Sequence, residues 1–86
     1  MPPIKKITRA QVRAARGFAG WSIKDLASRS GAAVMTISKF ETGAAAPTLD
    51  TLLKLQGAFE AAGIDFPDEF TISARRMKEK QTNLDL

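Results

Sequence analysis

The 86-residue chain has no Cys, no His and no Tyr, and its 13 Lys+Arg against 9 Asp+Glu give a net charge of +4. Without thiols or imidazoles it has no disulfide framework, no thiolate nucleophile, no His-based metal site and no imidazole general base, so neither catalysis nor a cofactor is expected. No apolar run approaches the roughly 18 residues of a membrane span, and the basic start Met1-Pro2-Pro3-Ile4-Lys5-Lys6 leads into no apolar signal core, which implies a cytoplasmic protein with no membrane partner. An apolar share of 44% at this length fits one folded domain.

Thr8-Arg9-Ala10-Gln11 has the form of a capping box, a hydroxyl at the N-cap and a Gln three residues on. It predicts a first helix of about ten residues with Val12, Ala15 and Ala19 on one face, ending between residues 17 and 20. Ser22-Ile23-Lys24-Asp25 is a second N-cap with an acid in the first turn, and Trp21 and Leu26 have the spacing of a hydrophobic staple around it. This second helix is short and stops at Ser30-Gly31, where glycine permits a left-handed cap. A third short helix is predicted over residues 33–41, stopped by Thr42-Gly43, with Ile37 and Phe40 three apart and Val34 a further turn back. After Ala44-Ala45-Ala46-Pro47, Thr48 caps a fourth helix whose core face is Leu49, Leu52, Leu53, Leu55 and Phe59, and Gly63 ends it. Past Gly63 the period changes. Ile64-Asp65-Phe66 and Phe70-Thr71-Ile72 alternate apolar and polar, as short strands do, and from Ser73 the chain reads as a frayed polar tail or a weak helix.

Charge is uneven along these elements. Residues 1–30 hold seven cations (Lys5, Lys6, Arg9, Arg13, Arg16, Lys24, Arg29) against Asp25 alone, residues 31–70 hold two cations against six acids, and residues 71–86 hold four cations against two acids. Such asymmetry is that of a front facing a polyanion, or of a solvated basic face without a partner.

The richest signal is a short helix, a glycine corner and a second short helix. Ala27 is small where the two helices nearly touch, Gly31 makes the turn, and Ile37 buries the second helix against the first, with Leu26 and Phe40 completing the packing. Together with Gly20-Trp21-Ser22, Asp25, Thr36, Ser38, Glu41, Gly43 and Pro47, this string resembles the XRE-type, lambda-repressor-like helix-turn-helix domains over about residues 7–66. The resemblance implies an all-α domain of four to five helices, with a short C-terminal strand, that binds double-stranded DNA with its third helix in the major groove. Carried over by position, Ala33, Val34, Met35, Ser38 and Lys39 face bases. Arg13, Arg16, Ser22, Lys24, Thr36 and Thr42 face phosphates. The resemblance also implies that Arg16 and Glu41 pair across the first and third helices.

Several positions depart from that pattern. Ile23 stands where the family usually has Gln, and Ala33 replaces the usual Ser or Thr, forfeiting a cap of roughly 1 kcal/mol. Val34 and Met35 replace polar readers and leave Lys39 as the only long polar one; either specificity comes largely from DNA shape, or these two serve a protein contact.

Family members usually bind two-fold sites as dimers, and Ile64, Phe66, Phe70 and Ile72 are candidate dimer contacts, unless the strands fold back on their own helices. The expected division is a basic N-terminus (1–6), a helix-turn-helix domain (7–63), a strand segment for dimerisation (64–72) and a polar tail (73–86). The expected function is a homodimeric, sequence-specific repressor. The chain is also similar in length and layout to HipB-type antitoxins: Trp21, the Thr36–Glu41 stretch, a strand after the fourth helix, and a tail ending in Leu84 and Leu86. That likeness implies a toxin protein as a second partner.

Overall fold

Among the described residues, four helices in succession lead into a two-stranded hairpin. The computed structural model describes residues 7–74. The basic N-terminus with Lys5 and Lys6, and the tail from residue 75 with Leu84 and Leu86, lie outside the described residues.

Local chemistry sets where each helix begins. At α1 (Arg9–Ala19) the Thr8 hydroxyl accepts from the Gln11 N–H while the Gln11 side chain accepts from the Thr8 N–H. Ser22 and Asp25 exchange the same pair of bonds at α2 (Ile23–Ser30), and Thr48 caps α4 (Leu49–Ala61). Helix α3 (Val34–Thr42) differs: Ala33 stands at its N-cap and no side chain caps it. The corner between α2 and α3 is Gly31, at φ 83°, where an added Cβ would meet nothing within 4 Å. Glycine is needed there for its left-handed backbone, not for lack of room.

Helix α2 packs on α3 and α4, while α1 packs on α3. Val12, Ala15, Leu26, Ile37, Leu55 and Phe59 are fully buried between them, each of the larger side chains contributing about 1.5–3 kcal/mol of transfer free energy. The Trp21 ring stacks on Phe59 at 5.2 Å between centroids, and Phe66 meets Phe59 edge-on at 5.7 Å. On α4 the buried residues are Leu52, Leu55 and Phe59, whereas Leu49 and Leu53 are exposed. At about 100° per residue, Leu53 lies roughly 120° round the helix from Phe59 and off the inward stripe. Five apolar residues are more than one stripe can bury.

The hairpin also departs from expectation. β1 (Ile64–Asp65) pairs antiparallel with β2 (Ser73–Ala74), Ile64 opposite Ala74 and Asp65 opposite Ser73. The second strand therefore lies in the stretch expected to be tail, and Phe70-Thr71-Ile72 is loop. The cause is a side chain from α1: buried Gln11 donates from Nε2 to the carbonyls of Asp68, at 2.6 Å, and Thr71, at 2.8 Å. The Asp68 carboxylate accepts from the Phe70 N–H and closes the turn. These bonds hold the loop as a bend on α1 and move strand pairing to residues 73 and 74. Ile64 is fully buried in the chain's own core, β1 packing on α4. It is therefore not available as a dimer contact, and the hairpin shares the core of the helices.

Two glycine substitutions are predicted to act with opposite sign. Gly31→Ala forces a side chain into the left-handed region and should destabilise by about 1–2 kcal/mol. Gly17→Ala, at an exposed α1 position where an added Cβ meets nothing within 4 Å, should stabilise by up to about 1 kcal/mol. Urea denaturation of the two variants checks both signs.

Candidate nucleic-acid interface

Two helices and a corner position the surface. Leu26 of α2 and Ile37 of α3 are fully buried, and Ala27 and Phe40 pack half-buried against the same cluster. Burying Ile37, Phe40 and Glu41 on one side of α3 leaves Met35, Lys39 and Thr42 exposed on the other, with Val34 exposed in the first turn and Ser38 and Thr36 half-buried at the margins. Val34, grouped with the inward residues by its spacing, is 44% exposed, and Met35 is 63% exposed. Exposed Ala33 precedes both at the N-cap.

Helix α3 is tied in place from α1. Arg9, Arg13 and Arg16 follow at intervals of four and three residues, which puts them on one face. Arg16 forms a two-bond pair with Glu41, Nε to Oε2 and Nη2 to Oε1, both at 2.8 Å. Its Nη1 donates to the Trp21 carbonyl at 3.0 Å, while the Trp21 N–H donates back to the Arg16 carbonyl at 2.9 Å. One guanidinium thus joins the end of α1, the chain leading into α2 and the C-terminal half of α3. The hydrogen bond to Glu41 raises the Arg16 pKa above its already high ordinary value, against the opposing effect of burial. Arg13 donates from Nη1 to the Glu41 carbonyl at 2.8 Å, one of the carbonyls left over at the helix end. The Arg9 guanidinium lies against Gly43, where any Cβ would collide with it.

These contacts place the expected phosphate residues unequally. Arg13 and Arg16 are engaged with α3. The Ser22 cap is closed internally, its hydroxyl on the Asp25 N–H and its own N–H on the Asp25 carboxylate, whose pKa those bonds hold below the ordinary range. That carboxylate puts a negative charge where a phosphate would approach the start of α2. Lys24 is exposed beside it, and Ile23 packs half-buried against the core. The Thr42 hydroxyl donates to the Lys39 carbonyl at 3.2 Å. Of the hairpin residues, Phe66 and Ile72 pack against the core from the margin, and Phe70 is 89% exposed.

Three roles went unread in the sequence. They are Arg9 over Gly43, Gln11 as the clamp on the hairpin loop, and Arg29, whose guanidinium lies 4.3 Å from the Trp21 ring centroid. The spacing of Arg9 with Arg13 and Arg16 was a visible signal for the first, and nothing local signalled the other two.

Among the described residues, seven cations are matched by seven acids. The cations gather on α1 and α2 and the acids from α4 onward. None of the described helices is long and apolar enough to cross a membrane, and no cluster of metal-ligating side chains occurs among the described residues.

A helix-turn-helix family model matches residues 12–62, spanning α1 through α4. The chain belongs to the XRE-type helix-turn-helix family. No curated protein matches it. This XRE-type domain has the lambda-repressor-like all-α fold of its family and is a DNA-binding transcription regulator.

The Arg16 tie carries a test. Arg16→Ala strands the Glu41 carboxylate, whose side chain is only 5% exposed, and should cost about 3 kcal/mol. Arg16→Lys should recover only part of that, because an ammonium cannot reproduce the fork. Chemical denaturation orders the three proteins as wild type, Lys, then Ala.

Proposed function

We propose that this regulator is a homodimeric repressor that reads a palindromic operator with the outward face of α3. The observation that carries this is the exposure of Ala33, Val34 and Met35 at the start of α3 and of Lys39 on its outer side, with Ser38 half-buried beside it, on a helix pinned from within by Arg16. Those residues face base edges, with Lys39 as the charged reader. Lys24, Thr36, Thr42 and the Arg9–Arg13 edge lie toward the phosphates.

Dimer formation is supported by Phe70 rather than by Ile64. Phe70 and Ile72 line one side of a groove of about 440 Å³ whose other side includes Ala10 and Ala14 of α1. So large an exposed aromatic over an apolar groove is a natural contact for a second copy. A two-fold dimer would offer two α3 helices to half-sites one helical turn, about 34 Å, apart.

Selection of bound duplexes from a random library, by the full chain, tests this reading. The expected outcome is an inverted repeat with half-sites one turn apart; a single asymmetric site contradicts the dimer. Lys39→Ala should weaken binding to the selected site by about tenfold or more, as loss of a direct base contact does, and random-sequence binding far less. Equal losses on both duplexes would remove Lys39 from the readers.

A further inference from the structure

The outward start of α3 is chemically one-sided. Ala33, Val34 and Met35 follow one another, all exposed, and their side chains offer no hydrogen-bond donor and only a thioether as a weak acceptor. Lys39 is the one charge on the outward face of the helix, since Glu41 is buried against Arg16. A tip built this way cannot form the two-bond pairings by which Arg, Asn or Gln identify guanine or adenine. It leaves Val34 44% and Met35 63% exposed on the free protein, side by side with Ala33.

One feature of the major groove matches such side chains: the C5 methyl of thymine, which projects from the groove floor and takes apolar contacts. The two residues would read it differently. Val34 is β-branched and stiff about χ1, so its methyls occupy fixed positions, whereas Met35 is unbranched and adapts its shape.

We propose that Val34 and Met35 are specificity-determining residues that recognise thymine through its C5 methyl, so that the half-site carries thymine beneath the start of α3. This rests on the reading that α3 faces base edges, and deepens it by naming the base feature read. Thymine under Val34 is required more strictly than thymine under Met35.

Replacing thymine by deoxyuridine tests this, because it deletes the methyl and keeps the base pair. In the site selected by the full chain, each thymine is substituted singly and the affinity measured. The expected loss is about fourfold at each methyl read, the value of burying one methyl-sized group, at one or two thymines per half-site and at no others. In Val34→Ser and in Met35→Gln, both at exposed positions, deoxyuridine should no longer change the affinity at the thymine which the replaced residue read, and should still do so at the other. That separates methyl contact from altered DNA stiffness. A selectively bound site that tolerates uracil throughout, or contains no thymine, overturns the inference while α3 remains a reader of bases. Sensitive thymines that all stay sensitive to uracil in both variants overturn it as well. A chain that selects no sequence at all overturns the inference together with the reading beneath it.

Discussion

A carboxylate buried at the C-terminal half of a short helix has to be answered by a cation, and in this fold the answer is Arg16. Glu41 cannot be hydrated where it sits, so its two oxygens take the fork of one guanidinium. The remaining reach of that guanidinium goes to the Trp21 carbonyl, at the point where the chain turns into α2. Three helices are thereby fixed relative to one another by one side chain. The consequence is directional: with Glu41, Ile37 and Phe40 held inward, Met35 and Lys39 face outward, and Ala33 and Val34 stand exposed at the start of the helix. Orientation of α3 follows from neutralising a buried charge.

Charge within the described residues is balanced, and its placement differs from its sum. Arg9, Arg13 and Arg16 run along the C-terminal half of α3 and the glycine after it, while Asp50, Glu60, Asp65, Asp68 and Glu69 lie on α4 and the hairpin. Such a division orients the molecule toward a polyanion more than it draws it there. Phosphate contacts in general set register and salt dependence, and base-edge contacts discriminate between sequences, a task that the proposed function gives to the start of α3. A nearly apolar tip can discriminate only where bases offer methyl groups or where DNA shape does the work.

The sequence made the helices legible because their signals are local. Thr8 with Gln11, Ser22 with Asp25, and Thr48 fix starts within three residues of themselves, and Gly31 and Gly43 fix ends. The apposition of Arg16 and Glu41 was legible only through the family pattern, since 25 residues separate the two. Distant bonds explain what was misread. Gln11 announces itself as a capping residue, yet its amide also reaches Asp68 and Thr71, and that clamp turns an alternating stretch into loop. Leu49 and Leu53 mislead for a different reason: a leucine-rich helix holds more apolar residues than its inward stripe. Ile64 has the alternation of a half-buried strand edge and is instead a core residue, because α4 covers it.

Backbone amide resonances of the full chain, followed during titration with a selected duplex, test most directly whether α3 is the face that meets DNA. Shifts and broadening centred on residues 33–39, with the 66–74 hairpin nearly unchanged, are the result this structure predicts. Perturbation centred on α4 and the hairpin, with α3 silent, would contradict it.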